Sequence, residues 1–355
     1  MIELLLESFI KILKFLPPEL AHSTTINALK YFRFNFDNID DPILAQHLIG
    51  LDFPNPIGLA AGFDKNAEVV NSMFSLGFGF VEVGTITPKP QKGNPRPRVF
   101  RLDQDNAIIN SLGFNNKGSK KVKKNITKIK NSFVGNRIIG VNLGKNKNTL
   151  NSIDDYLFGI ENLGNLASYI TINISSPNTE GLRDLQLRGN IENLIKKIVS
   201  KRDEIEIINK KPVFIKISPD LNDDQLRDIA LISLANNIDG LILTNTTTNR
   251  PNNLLSKNKK NKGGLSGRPL FEDSNNVLRK MYKLTNGQII LIGVGGITNA
   301  SDCYQKIKSG ASLVQLYTAL TFSGPYLISK IKNELIDLIK TDGYRNISEV
   351  IGKSV

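Results

Sequence analysis

Eight short, apolar and largely β-branched runs recur between residues 56 and 317, and longer stretches of helical periodicity separate them. They are Pro56–Ala60 (PIGLA), Phe80–Gly84 (FVEVG), Ile138–Asn142 (IIGVN), Tyr169–Asn173 (YITIN), Val213–Ile217 (VFIKI), Gly240–Thr244 (GLILT), Ile289–Val294 (IILIGV) and Ser312–Tyr317 (SLVQLY). Runs of this length without polar alternation read as strands covered on both faces, the condition of a parallel sheet wrapped by helices. Amphipathic stretches such as Ile191–Ile208, Asp223–Ala235 and Gly324–Lys340 supply the helices. Eight strand–helix alternations predict a (β/α)8 TIM barrel, which needs about 250 residues. A doubly wound sheet is the alternative, but the Gly-x-Gly-x-x-Gly turn expected after its first strand is missing.

The chain begins differently. In residues 3–16 (ELLLESFIKILKFL), Glu3, Glu7, Lys11 and Lys14 form one polar stripe at helical spacing, with apolar residues over the rest. The stretch is too short and too charged to span a bilayer, and no small-residue cleavage site marks it as a signal peptide. Pro17 and Pro18 end this helix, and a second helix is expected over Pro18–Tyr31. The two helices either pack on the main body or lie in a membrane interface. The expected organisation is an extension over residues 1–36 and a barrel domain over residues 37–355.

Composition narrows the chemistry. Of 355 residues only two are histidines, His22 and His47, and both precede the first core strand. Ser-His-Asp hydrolysis and histidine-ligated zinc therefore have no histidine available from the body of the chain. A single cysteine, Cys303, excludes an internal disulfide and fits a reducing compartment. The net charge of +13 is concentrated in Lys117–Lys130 and Lys257–Lys262. Neither stretch carries the interleaved aromatics that stack on bases, so no nucleic-acid partner is expected. The charge reads as solvated surface, with a weak attraction to anionic membrane as the alternative.

The polar and glycine-rich clusters fall at the C-terminal ends of the expected strands, where a barrel carries its chemistry. In order they are Ala61-Gly62-Phe63-Asp64-Lys65, Thr85-Ile86-Thr87-Pro88, Asn142–Asn146, Asn173–Thr179, Ser218-Pro219-Asp220, Thr244–Thr247, Gly293–Gly296 and Tyr317-Thr318. Amides and hydroxyls suit a planar ligand with alternating donors and acceptors. The scarcity of carboxylates argues against a metal site. Gly293, Gly295 and Gly296 would let backbone N–H groups approach a phosphate, the usual cargo of the loops after strands seven and eight. Lys216, inside VFIKI, is costly to bury alone, so it faces either a carboxylate partner or a ligand that becomes negative.

The segments AAGFDKNA, GTITPKPQKGNPRPRVFRL, NSLGFNN, GVNLGKNK, NISSPNT, TNTT, GGLSGRPL, GVGGI and LVQLYTALTF together resemble the dihydroorotate dehydrogenases, in the same order, from about Pro18 to Phe322. The resemblance implies FMN at the barrel mouth, held by Ala61, Gly62, Phe63, Asp64, Lys65, Thr85, Asn142, Asn173, Lys216, Thr244, Gly267, Gly296, Tyr317 and Thr318. It implies a dihydroorotate site formed by Lys65, the segment Asn110, Ser111, Leu112, Gly113 and Phe114, and Asn173, Asn178, Asn245 and Thr246.

Soluble members of that family carry a cysteine base in the loop after strand four; quinone-reducing members carry a serine. Here the position is Ser176, and the two-helix extension is a second mark of the quinone-reducing class. The implied reaction is oxidation of dihydroorotate to orotate in pyrimidine (UMP) biosynthesis. Ser176 takes the C5 proton, hydride passes from C6 to flavin N5, and Lys216 stabilises the reduced flavin. A ubiquinone-type membrane quinone then enters by the extension, with His22 and Arg101 matching positions of that tunnel. The expected location is peripheral to the membrane, at the cytoplasmic face of the inner membrane if the source is bacterial, with no obligate protein partner. The alternatives are a soluble enzyme using fumarate or NAD, another FMN barrel oxidase, or a non-catalytic flavin-binding barrel.

Overall fold

The structure, a computed structural model, describes residues 13–31, 40–131, 137–205 and 211–355. The first helix read over residues 3–16 falls mostly outside these. Residues 13–15 are helical and the chain turns at Leu16 and Pro17, before helix α1 (Pro18–Tyr31) begins where the proline places it. The expected boundary at residue 36 also lies outside the described residues.

All eight predicted runs are strands, and they close into one parallel barrel. In chain order they are β3 (Ile57–Leu59), β4 (Phe80–Ile86), β7 (Ile138–Leu143), β8 (Tyr169–Asn173), β9 (Val213–Ile217), β10 (Gly240–Leu243), β12 (Ile290–Val294) and β13 (Leu313–Leu316). β13 pairs back onto β3 and closes the ring. Around them lie α2 (Val70–Ser75), α3 (Ser119–Lys130), α4 (Ser152–Leu163), α5 (Arg188–Glu204), α6 (Asp223–Ala235), α7 (Phe271–Thr285), α8 (Ala300–Lys308), the short α9 (Thr318–Ser323) and α10 (Leu327–Thr341). α6 starts on a capping box in which Asn222 accepts from Gln225 N at 2.9 Å and Gln225 accepts from Asn222 N at 3.0 Å. Against expectation α5 begins three residues earlier, at Arg188, and α10 begins only at Leu327.

Two small sheets complete the molecule. The hairpin β1 (Gln46–Leu48) and β2 (Leu51–Phe53) plugs the barrel floor, where Phe53 packs edge-on against Phe80 with ring centroids 5.4 Å apart. The strands β5 (Val99–Leu102), β6 (Ala107–Asn110) and β11 (Gly264–Gly267) form an antiparallel sheet in the order β11-β6-β5. Its strands come from the loops after β4 and β10, so it stands over the C-terminal mouth, and α1 packs on β5.

The strand period of two sorts the barrel interior into layers. At the bottom Phe80, Tyr169 and Phe214 stack edge-to-face, with centroids 6.3 Å and 5.3 Å apart. Their bulk is accommodated by small neighbours: a Cβ on Gly140 would sit 2.1 Å from the Tyr169 ring. Two residues further along the same strands the interior turns polar, with Glu82 on β4, Thr171 on β8, Lys216 on β9 and Gln315 on β13, all buried. Asn142 and Asn173 come next toward the mouth. The apolar layer between strands and helices forms a separate, larger core.

Candidate active site

The polar layer is organised by a single carboxylate. Glu82, fully buried, accepts from Asn142 Nδ2 (2.7 Å), Tyr169 Oη (3.0 Å), Thr171 Oγ1 (3.1 Å) and Gln315 Nε2 (2.9 Å). With its amide nitrogen committed downward, Asn142 turns its oxygen up to accept from Thr85 Oγ1 (2.6 Å) and Asn173 Nδ2 (3.2 Å). Asn173 also donates to Thr85 Oγ1 (2.9 Å), while its oxygen accepts from Ser175 Oγ (3.2 Å) and Asn245 Nδ2 (3.3 Å). Orientation is thus passed from the barrel centre to the rim through side chains with one consistent donor direction.

Above this layer lies a cavity of about 1410 Å³, walled by the strand ends and by residues of α1, β5, β6 and β11. Most of the expected site residues meet there. Ala61, Gly62, Phe63, Asp64, Lys65, Thr85, Asn173, Ser176, Lys216, Thr244, Asn245, Thr246, Gly267, Gly296, Tyr317 and Thr318 all line it. So do Asn110, Leu112, Gly113, Phe114 and Asn178, together with His22 and Arg101. Two expected residues do not. Asn142 sits one layer below, beneath Thr85 and Asn173, and Ser111 turns its backbone to Arg98 and Asn94. Asp64 borders the cavity but directs its carboxylate at the amides of Glu68 (2.8 Å) and Val69 (2.8 Å), so it shapes the loop.

Among the cations that line the cavity, Lys216 and Lys65 are the two that the expected ligand sites include. Lys216 is buried, and no carboxylate of the described residues forms an ion pair with it, which removes the structural ion-pair reading. Burial lowers its pKa, opposed by the charge of Glu82. Lys65 lines the cavity and is partly exposed. Burial, with Arg98 adding to it, lowers its pKa to about 8, while Glu19 and Asp64 act in the opposite direction. Among the described residues no group of three His, Cys, Asp or Glu is placed to hold a metal.

Ser176 is buried in the loop that follows β8, and its Oγ accepts from Asn178 N (3.3 Å). Asn178 Nδ2 in turn donates to Asn110 Oδ1 (3.1 Å), tying that loop to the overlying sheet. Three residues past Ser176, the Thr179 hydroxyl is buried with no hydrogen-bond partner. Cys303 lies at the core side of α8, where burial raises its thiol pKa to about 12 and leaves it protonated at neutral pH.

Where β11, β12 and β13 reach the mouth, Gly267 and Gly296 have φ of +97° and +76°, and α9 begins at Thr318. A Cβ on Gly296 would stand 2.5 Å from the Phe271 backbone. Thr318 Oγ1 donates to Ser266 Oγ (2.9 Å), joining the barrel end to β11.

Residues of α1 complete the wall. His22 packs edge-on to Phe63 (5.4 Å), and Phe63 packs edge-on to Tyr317 (5.5 Å). Burial and the nearby Lys65 lower the His22 pKa to about 3, so its imidazole is neutral. Arg101 donates to the carbonyls of Leu13 (3.3 Å) and Leu16, completing the C-terminal turn of the preceding helix. Sequence reading missed the residues that dock this extension. Glu19 takes hydrogen bonds from Arg98 (2.8–3.3 Å) and an ion pair from Arg96 (3.1 Å), and Lys30 pairs with Glu68 (2.8 Å).

Comparison with known proteins agrees with this geometry. The family model described as dihydroorotate dehydrogenase matches residues 43–339. "Dihydroorotate dehydrogenase (quinone)" of Parvibaculum lavamentivorans is 48% identical over 97% of this chain and 97% of its own. The mitochondrial protein of the same name from Arabidopsis thaliana is 46% identical, over 95% of this chain and 79% of its own. The crystal structure of a ligand-free DHODH from Eimeria tenella superposes with a TM-score of 0.91 at 44% identity, covering 95% and 99% of the two chains. By barrel, serine loop and full-length similarity, the chain belongs to the quinone class of the dihydroorotate dehydrogenase family.

Proposed function

We propose that this enzyme oxidises (S)-dihydroorotate to orotate in pyrimidine biosynthesis, using FMN bound in the cavity and a membrane quinone as final oxidant. The observation that carries the reading is the convergence, in one cavity, of a buried serine, an asparagine array and a buried lysine with no ion-pair carboxylate among the described residues. The residues suit FMN. Backbone N–H groups at Gly296 and at the start of α9 would receive its phosphate, and Thr85, Asn173 and Thr244 present polar atoms to a flat ring. Bound there, FMN supplies a two-electron acceptor that quinone can reoxidise.

The chain's own residues do the rest. Lys65 receives the substrate carboxylate, and Asn110, Asn178 and Asn245 hold the imide groups, the first two oriented by their mutual hydrogen bond and Asn245 by Asn173 and Ser175. Ser176 accepts the C5 proton as the C6 hydrogen leaves with its electron pair, so the ring gains its double bond. A serine must hand that proton on, and the buried Thr179 hydroxyl, three residues along the same loop and without a hydrogen-bond partner among the described residues, is free to take it. Lys216 holds positive charge against the reduced cofactor. The protonated Cys303, buried in α8, weighs against the cysteine-base class.

The quinone approaches from the α1 side, past His22 and Arg101, and the extension rests on the membrane without crossing it. None of the described helices is long and apolar enough to span a bilayer, and Phe15 and Tyr31 are 89% and 83% exposed. The test is an anaerobic absorption spectrum of the purified protein before and after dihydroorotate. Bleaching of a flavin spectrum supports cofactor, substrate and first half-reaction together. An unchanged flavin spectrum refutes the substrate, and a colourless protein that cannot be reconstituted with FMN refutes the reading as a whole.

A further inference from the structure

The basic stretch at residues 257–262 (KNKKNK) lies in the loop between β10 and β11, separated from Leu255 by Ser256 alone. This loop is built in detail. Leu254 is buried, and the Asp105 carboxylate accepts from Leu255 N (2.8 Å) and Ser256 N (3.0 Å). Ser256 caps the short 3-10 turn at Lys257–Lys260. Arg250 gathers the carbonyls of Lys259 (3.2 Å), Asn261 (3.1 Å) and Gly263 (2.6 Å). With these backbone acceptors turned inward, Lys257, Lys260 and Lys262 are exposed, and among the described residues none of the three has an ion-pair partner. Lys259 instead folds back on Leu254 O (2.6 Å). An ordered turn that presents three unneutralised lysines beside an apolar side chain 68% exposed, Leu255, has the composition of an interfacial contact.

Its position points to the partner. Asn258 Nδ2 donates to Arg101 O (2.8 Å), and the guanidinium of the same Arg101 donates to Leu13 O and Leu16 O. One residue of β5 therefore holds the basic loop with its backbone and the N-terminal extension with its side chain. Phe15 and Leu20, 89% and 51% exposed, lie on the extension side of that junction.

We propose that the loop 255–262 is a second membrane-docking element, in which Lys257, Lys260 and Lys262 pair with anionic phospholipid headgroups and Leu255 enters the interface beside the extension. This rests on the membrane reading of the extension given above. A short amphipathic segment alone binds a bilayer marginally and reversibly, and an adjacent polybasic patch supplies the second attraction that stable residence requires. Near an anionic surface each lysine strengthens binding about fivefold, an attraction that fades beyond a Debye length and with added salt.

The test is sedimentation of the purified full-length flavoprotein with phosphatidylcholine vesicles, with and without phosphatidylserine. Wild-type protein should bind the phosphatidylserine vesicles more tightly, in a salt-sensitive way. The triple variant Lys257→Gln, Lys260→Gln, Lys262→Gln should lose roughly a hundredfold of that binding while matching wild type on phosphatidylcholine and in flavin content. Phe15→Asp should instead weaken binding to both vesicles, because it reports on the extension. A triple variant that keeps the full phosphatidylserine gain overturns the loop proposal and leaves the membrane reading standing. Wild-type protein that binds neither vesicle overturns the membrane reading, and the loop proposal with it.

Discussion

Lys65 gives the most quantitative test of the site, because its pKa sits inside an accessible pH range. Burial in the cavity wall and the neighbouring Arg98 bring the ammonium down to about 8. With that pKa it keeps about nine-tenths of its charge at pH 7, half at pH 8 and about a tenth at pH 9. If the charged form receives the ligand carboxylate, the Kd for orotate should be flat below pH 7 and rise about tenfold between pH 7 and pH 9. A charge-assisted hydrogen bond in such a site contributes about 1.5–3 kcal/mol, so Lys65→Met should weaken orotate binding roughly 10- to 150-fold at pH 7. In that variant the rise between pH 7 and pH 9 should vanish. Lys65→Arg carries a charge that does not titrate and should flatten the same limb. Glu19 acts to raise the lysine's pKa, so Glu19→Gln should move the limb to lower pH. The assay is equilibrium titration with orotate, followed by the perturbation of flavin absorbance, so no chemical step intervenes. An orotate Kd independent of pH up to 9, or a Lys65→Met profile that keeps its alkaline limb, would refute the reasoning.

Three further outcomes are expected. Ser176→Ala should slow flavin reduction by dihydroorotate at least about a hundredfold in anaerobic stopped flow, and a near-normal rate would remove the serine from the role of base. Glu82→Leu leaves four buried donors without their acceptor and should cost about 3–5 kcal/mol in urea denaturation; a loss below about 1 kcal/mol would show that the polar layer re-pairs without it. Gly296→Ala forces a Cβ against the Phe271 backbone at a positive φ, so the purified protein should carry much less FMN per chain than wild type, measured from the absorbance ratio.

How much of this was legible in the sequence depends on the range of the interaction that decides each feature. The eight barrel strands declare themselves in unbroken apolar runs, because both of their faces are covered. Lys216 announces itself as the one charge in VFIKI, and the rim residues follow from their position after each strand. The antiparallel sheet β5-β6-β11 does not, since its strands are short and partly exposed, β5 follows the prolines of PKPQKGNPRPR, and β11 joins β6 from the far side of the chain, Gly264 pairing with Asn110. Glu82 was equally hidden. Within FVEVG it looks like one polar residue in a strand, and its partners come from β7, β8 and β13. Arg98 and Glu19, 79 positions apart, become a pair only once α1 is laid on β5. The place of Asn142 at a strand end does not reveal that its amide donates to Glu82, which sets it beneath Thr85 and Asn173.

The Glu82 layer also constrains how such sequences can diverge. Its four donors face one acceptor, and Asn142 relays that polarity to Thr85 and Asn173. Loss of the acid at 82, or of the donor group at 142, 169, 171 or 315, strips a buried group of a hydrogen-bond partner. Substitutions there should therefore be inherited as a block, and a lineage that exchanges the acid for an apolar residue should be found to have exchanged the facing amides and hydroxyls with it.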